Sequence, residues 1–357
     1  MAQSTSKKKR FEAPQLQLFA TRILEKGGLA SDRATTVATT LLASDLMGHP
    51  THGLALLSPY AQSLENGDMT TSGGPEVLKD TGAAITWDGR LLPGAWLVHQ
   101  SIDLALERIK EHPVVTMAIQ QSHHIGCLAA YPERATEQGL MMILACSDPA
   151  YNRVAPYGGL TGVYSPNPIA AGIPTKGEPI VFDISTSATA GGVVGQAHKL
   201  GVDLPHPWLL TSDGEATTDP TTFYTTSPST ILPLGGLDTG YKGFALGLLV
   251  EALTGALSGH GRSHEPTKWM SSVFLQIIAP EHFGGLDAFT SDSQYVVDKS
   301  KAAATRPGDP PVRLPGQRAF RMREEQLAHG VQLNPAIVSS LEKLAEQYGI
   351  DCPAAIQ

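Results

Sequence analysis

Val114-Val115-Thr116-Met117-Ala118-Ile119, with Ser122-His123-His124-Ile125-Gly126 two residues further on, is an apolar, partly β-branched run that ends in hydroxyl, imidazole and glycine. Such a run, too short for an independent helix and bounded by polar residues, reads as a buried strand. Three further runs of the same texture, at residues 84–87, 141–145 and 180–184, are separated by Gly, Pro and Asp. Helical patterns over about 95–110 and 127–138 alternate with them. The alternation predicts a mixed α/β core over residues 76–318.

Upstream of that core the periodicity changes. Leu16, Phe19, Ile23 and Leu24 recur at helical spacing, and Gly27-Gly28 supplies a stop. Ser31 is placed to cap a second helix carrying Val37, Leu41, Leu42 and Leu46, which ends before Gly48 and Pro50. A third helix carries Leu57, Tyr60, Ala61 and Leu64 up to Asn66-Gly67. Downstream, a late amphipathic helix is expected after Lys242 and a strand over 272–278. A Pro/Gly-rich connector follows over 304–318, and Asn334-Pro335 starts a final helix reaching Tyr348. The expected organisation is an N-terminal helical region, 1–75, with 319–357 packing back on it, and a mixed α/β region, 76–318. No internal repeat is visible.

The 357 residues suffice for about two domains, and a net charge of −8 has the wrong sign for a general nucleic-acid binder. Cys127, Cys146 and Cys352 form no CxxC pair and no even framework, which fits a reduced, cytoplasmic chain and leaves no zinc knuckle. Lys7, Lys8, Lys9 and Arg10 are not followed by the apolar run of a signal peptide, so they read as a solvated arm. The most apolar later stretch, residues 244–258, contains Glu251 and falls short of the ~20 residues of a membrane span. No metal site and no membrane contact are expected.

The common cofactor and nucleophile signatures are missing: no GxGxxG after a strand, no GxxxxGK[ST], no GxSxG and no HExxH. Four other features carry chemical potential. Thr51-His52-Gly53, in the connector from Gly48 to Gly53, offers a hydroxyl beside an imidazole that titrates near neutrality. Ser122 to Gly126 ends a strand where unpaired N–H groups attract anions. Successive histidines on a strand face opposite sides, so His123 and His124 do not form a metal pair by themselves. Phe182-Asp183-Ile184-Ser185-Thr186-Ser187 delivers a carboxylate that can raise an imidazole's pKa, then three hydroxyls. Gly240-Tyr241-Lys242-Gly243 places a cation at an expected helix start. Each has a plainer reading: solvated loop histidine, strand-end turn, exposed lysine.

Taken in order, these features together with Pro156-Tyr157-Gly158-Gly159 and Asn167-Pro168-Ile169-Ala170 through Pro174 resemble the non-Rossmann malate/L-lactate dehydrogenase family. That family includes ureidoglycolate and sulfolactate dehydrogenases and Δ1-piperideine-2-carboxylate reductase. The resemblance covers roughly residues 13–320. It implies a largely antiparallel mixed sheet with flanking helices and an outer helical domain, a non-Rossmann fold for NAD or NADP, working as a homodimer. The implied relay falls on Thr51, His52 and Asp183, with His52 as proton donor and His124 as the alternative donor. Cofactor contacts would fall on Ser122, His124, Ser147, Asp183, Ile184, Ser185 and Lys242, and on Pro315 and Gly316 in the loop that follows Leu314.

Two positions depart from the family pattern. The relay serine is Thr51, and the arginine usual four residues after the SHG histidine is Leu56. An arginine there suits a substrate carboxylate by bidentate pairing; Arg153, His123 and Lys199 are the replacements considered. The expected reaction is hydride transfer between a nicotinamide and a small 2-oxo or 2-hydroxy acid, with reduction of a cyclic imino acid as the alternative. A hydrolase built on Thr51, His52 and Asp183 and a nucleotide-binding protein without catalysis are the rivals. The hydrolase is disfavoured because a threonine and a histidine adjacent in sequence seldom present their functional atoms to each other.

Overall fold

The computed structural model describes residues 9–356. Its centre is a seven-stranded sheet whose strands are β1 (Glu76–Asp80), β2 (Ala84–Asp88), β3 (Val114–Ser122), β4 (Met141–Ser147), β5 (Ile169–Ile173), β6 (Ile180–Ile184) and β7 (Ser271–Ile278). Their spatial order is β1-β2-β3-β7-β4-β5-β6. The pair β2/β3 is parallel and the other neighbours are antiparallel. The late strand β7 therefore sits between β3 and β4, with Val273 opposite Ile119 on one side and Cys146 on the other. Burial explains its place: Val273, Leu275 and Ile277 are fully inaccessible and share a core with Met117, Ile119 and Leu144.

The helix Gly94–Arg108 covers one face of the sheet through Val98, Ile102 and Ala105. Its first residue must be glycine, because a Cβ there would lie 2.1 Å from the carbonyl oxygen of His123. This close approach presses the helix start against the end of β3, where the two histidines lie.

A second core joins the two ends of the chain. Leu16, Ile23 and Leu24 of helix Ala13–Lys26, Val37 and Leu41 of helix Ser31–Leu46, and Leu57 and Tyr60 of helix Leu57–Glu65 pack with Ile337, Leu341 and Leu344 of helix Pro335–Tyr348. Each fully buried leucine or isoleucine contributes ~1.5–3 kcal/mol relative to exposure, so this cluster is a substantial anchor for the turn between the second and third helices. The last helix is capped as its sequence suggests, Asn334 Oδ1 accepting from the N–H of Ile337.

Several local expectations are corrected. The second helix begins at Ser31 itself, with Ala30 as N-cap and no side-chain cap. The helix expected over 127–138 is a 3-10 turn, Leu128–Ala130, and a short helix, Glu133–Thr136, because Pro132 interrupts the pattern. The late helix, Gly236–Glu251, has a kink at Thr239, where φ −116° and ψ 18° are not helical, so the Gly240-Tyr241-Lys242-Gly243 stretch opens the part beyond the kink and Lys242 lies in its first turn. Lys9 and Arg10 are not a solvated arm: Lys9–Phe11 is a strand between Val331–Leu333 and Ala355–Ile356, and Arg10 pairs with Glu325 at 3.1 Å. Lys7 and Lys8 lie outside the described residues. Among those described, no helix is long and apolar enough to cross a membrane.

Candidate active site

A cavity of about 560 Å3 opens where the connector after the second helix meets the ends of β3, β4 and β6. Thr51, His52, His124, Asp183, Ser185 and Trp269 are among its walls. His52 reaches it from a 3-10 turn, Pro50–His52, which His49 N-caps and Gly53 ends. The turn is held from below by Asp45, whose carboxylate accepts the N–H of Leu54 at 2.6 Å. Gly53 is obligatory here, since a Cβ would stand 2.2 Å from the same carboxylate. Asp45 is buried, and burial raises its pKa to about 7.

The imidazole of His52 is tied back by its own neighbour: Thr51 Oγ1 lies 3.0 Å from His52 Nδ1. This overturns the sequence argument that the two groups would not meet. The contact does not form a hydrolytic triad, because Asp183 makes no hydrogen bond to His52. Asp183 Oδ2 instead accepts from the N–H of Ala129 at 3.0 Å and the thiol of Cys127 at 3.3 Å. Asp183 acts on His52 through its charge, which raises the imidazole's pKa against the larger lowering effect of burial; His49 lowers it further.

His124 faces His52 with ring centroids 5.9 Å apart and planes 21° from parallel. Its Nδ1 lies 2.7 Å from the hydroxyl of Tyr60 and accepts the N–H of Gly126 at 3.3 Å. Burial, and then the neighbouring His52 and His123, hold His124 well below the ordinary histidine pKa. His123 turns the other way into the core, fully buried, edge-on to Tyr60 and Trp269.

The loop after β4, which brings Asp148 and Tyr151 to the cavity, is clamped by Arg262. Its guanidinium donates to the carbonyls of Asp148 and Tyr151 at 2.9 Å each and pairs with Glu251 at 2.8 Å. Asn167, at φ 46°, adds Nδ2 bonds to Gly247 O and Glu251 Oε1, and so fixes the chain where it enters β5.

Beside the first cavity, and sharing His49 and Asp183 with it, runs a cleft of about 360 Å3 between β6 and the segment 313–320. Ile184, Pro315 and Gly316 line it, together with the exposed guanidinium side chains of Arg313 and Arg318. The sequence residues thus divide. Thr51, His52, His124, Asp183 and Ser185 share one chamber, and Ile184, Pro315 and Gly316 share the next. Five expected positions line neither. Ser122 is buried and donates to His123 O; Ser147 is buried against Thr254. Arg153 lies over the ring of Phe223, Leu56 packs on the N-terminal core, and Lys242 is exposed on its helix beside Tyr241. Lys199 too lies outside both chambers, near the end of helix Gly191–Leu200. Among the described residues no group of three or more His, Cys, Asp or Glu is arranged to hold a metal ion.

Three imidazoles and two carboxylates line a chamber that adjoins a cleft flanked by two arginines, an arrangement that suits an oxidoreductase moving a proton beside an extended anionic cofactor. The chain belongs to the malate/L-lactate dehydrogenase family, whose pattern it matches over residues 11–342. It is 29% identical to hydroxycarboxylate dehydrogenase B of Escherichia coli strain K12 over 96% of this chain and 95% of that protein. It is 30% identical to an L-lactate dehydrogenase of Cupriavidus necator over 94% and 97% of the two chains. The crystal structure of delta1-piperideine-2-carboxylate reductase from Pseudomonas syringae pvar. tomato superposes with a TM-score of 0.82 at 28% identity, covering 94% of this chain and 100% of that one.

Proposed function

We propose that the protein is an NAD(P)-dependent dehydrogenase that interconverts a small 2-oxo acid and the corresponding 2-hydroxy acid, with His52 exchanging the proton. The observation that carries this reading is the placement of His52, tied at Nδ1 by Thr51, in a chamber that shares Asp183 with the arginine-flanked cleft.

When bound, the nicotinamide dinucleotide supplies or accepts the hydride. The residues fit such a group: the Asp183-Ile184-Ser185 strand end and the Pro315-Gly316 loop line two adjoining cavities that share His49 and Asp183, and Arg313 and Arg318 flank the second, suited to phosphate. In the reducing direction His52 gives its proton to the oxygen that becomes the hydroxyl. Asp183 stabilises the imidazolium before transfer, and Thr51 holds the ring's orientation. In the oxidising direction neutral His52 takes the proton back. Trp269 and Leu128 supply apolar wall that keeps water from the reacting carbon.

A cyclic imino acid is the second reading, favoured by the likeness to the piperideine-carboxylate reductase. A homodimer fits the apolar surface that Leu237, Tyr241, Leu246, Leu248, Leu249 and Leu257 leave exposed. A cytoplasmic location fits three unpaired cysteines.

The test is a substrate panel followed by nicotinamide absorbance with NADH and with NADPH: pyruvate, oxaloacetate, 2-oxoglutarate, phenylpyruvate and piperideine-2-carboxylate. Turnover of at least one 2-oxo acid is expected. Turnover of the imine alone would select the second reading, and cofactor binding without any turnover would reject both.

A further inference from the structure

The two stacked histidines are not equivalent, and the difference lies in what holds each ring. At His52 the partner of Nδ1 is a threonine hydroxyl, which can donate or accept, so the ring is free to carry one proton or two. At His124 the partners of Nδ1 include the backbone N–H of Gly126, which can only donate. A nitrogen that accepts from an N–H cannot itself carry a hydrogen, so the neutral ring has its proton on Nε2. Tyr60 then donates to the same Nδ1 at 2.7 Å, the nearer of its two acceptors, the carbonyl oxygen of His124 lying 3.3 Å away.

Other surroundings act in the same sense. His124 is faced by His52 across the stack, by His123 and Trp269 on its flanks, and by Tyr60 and Gly126 at Nδ1. No carboxylate makes a hydrogen bond to it among the described residues, whereas two imidazoles stand close by. Nε2 has no hydrogen-bond partner in the protein and is not among the sealed, unpartnered polar atoms of the interior. His124 itself lines the chamber that holds His52 and Asp183.

We propose that His124 is a fixed neutral hydrogen-bond donor, its Nε2–H directed at an oxygen of the bound 2-oxo or 2-hydroxy acid, its tautomer set by the Gly126 N–H, and that Tyr60 is the positioning residue that holds the ring in place through Nδ1. The assignment rests on the reading of the chamber as a hydroxy-acid site, and it gives the two histidines separate tasks. His52 gains and loses the proton that is transferred. His124 keeps its proton throughout and orients and polarises the substrate oxygen, as a donor in an oxyanion site does. The same division explains why a tyrosine hydroxyl is buried in the N-terminal helical core: Tyr60 is nearly inaccessible, and its hydroxyl is used on His124.

The experiment is nitrogen NMR of the histidine-labelled, full-length protein, with wild type compared to Tyr60→Phe, and with steady-state kinetics on the same samples. Tyr60→Phe keeps the ring that fills the core. His124→Phe assigns the resonance, and His124→Gln tests whether another N–H donor rescues function. Wild-type His124 is expected to remain the neutral Nε2–H form between pH 5 and 8 (roughly the range over which an ordinary histidine titrates). In Tyr60→Phe the Nε2–H tautomer should persist, because the Gly126 N–H remains, while the less firmly held ring raises KM for the acid about 5- to 10-fold, the loss expected for one hydrogen bond, with cofactor affinity unchanged. His124→Gln should recover most of the KM that His124→Phe loses. A ring that titrates in this range, or carries its proton on Nδ1, overturns the proposal. So does a Tyr60→Phe enzyme that changes kcat and cofactor affinity but not KM. If no 2-oxo or 2-hydroxy acid is turned over, the hydroxy-acid reading fails on its own, and the tautomer result still decides the state of His124.

Discussion

His52 and His124 stack 5.9 Å apart at 21°, yet Asp183 raises the pKa of His52 while His124 has only other imidazoles among the groups that act on it besides burial. Two imidazolium ions at this distance repel, so of these two rings only one is charged at a time, and the Asp183 charge favours His52; Asp148 on the same wall also titrates, its pKa pushed up to about 6 by burial.

Removing that ring should be severe. His52→Ala is expected to lower kcat by roughly 100- to 10,000-fold, the range for a positioned acid or base, while NAD(P)H affinity measured by fluorescence stays within a factor of two or so. Near wild-type turnover of a 2-oxo acid would move the proton role away from His52.

The pH dependence follows from the direction of the His52 shift. Burial lowers its pKa below 6.5 despite Asp183. Oxidation of a hydroxy acid uses the neutral ring, so kcat/KM should rise with pH to a plateau reached through an inflection below 6.5. Reduction uses the protonated ring and should fall through the same inflection. Asp183→Asn removes the raising charge and should move the inflection lower still. An inflection that moves up in the variant contradicts this account of the carboxylate.

Thr51 should matter through its hydroxyl. Thr51→Ser keeps the contact to His52 Nδ1 and should retain most activity, whereas Thr51→Val should lose about 3- to 10-fold in kcat, equivalent to one ordinary hydrogen bond. Equal loss in both variants would mean that the methyl group, not the oxygen, positions the ring.

How much of this was legible in the sequence depends on how each residue signals its task. Strand β6 and the first and last helices were readable because their apolar residues repeat cleanly and Gly or Asn-Pro marks an end. Three helices escaped the reading. Gly191–Leu200 opens on two glycines, Leu286–Lys301 buries Val297, and Gln317–His329 buries Phe320 and Gln326, so none carries a full apolar stripe. Strand β1 is exposed along its whole length and shows no alternation. At the site, the THG turn and the DISTS strand end were visible as polar groups among glycines and strand residues. Tyr60 was read only as core, and Trp269, Asp148 and Arg262 gave no motif, because their roles come from residues that the fold brings together over long separations. Lys242 does lie in the first helical turn after the kink at Thr239, but on a face that lines neither chamber.

The place of Lys242 outside both chambers is testable. Lys242→Ala should leave NADH and NADPH affinity unchanged, whereas Arg313→Ala or Arg318→Ala should weaken one or both by about tenfold or more, as expected for a charge-assisted contact. A Kd that responds to Lys242 alone would restore the earlier assignment.

Asp45 supplies a stability test. Its folded pKa, about 7, stands above the unfolded value near 3.8, so the folded state binds the proton more tightly. Its contribution is most favourable below pH ~4 and is lost as pH rises toward ~7. Asp45→Asn can still accept the Leu54 N–H and has no such titration. The Tm of wild type relative to Asp45→Asn should therefore fall across this interval, and a difference that rises with pH would contradict the burial argument. Gly53→Ala, which forces a Cβ against the same carboxylate, should destabilise the turn and lower turnover at every pH.

The central claim is tested most directly by following the transferred hydrogen. Wild-type protein is incubated with NADH or NADPH carrying deuterium at both hydrogens of C4 and with the 2-oxo acid that the panel selects, and the product is analysed by mass spectrometry. The account predicts a 2-hydroxy acid that carries one deuterium at C2, formed by wild type and not, over the same time, by His52→Ala. A product without deuterium at C2, or no hydroxy acid from any 2-oxo acid tested, would contradict it.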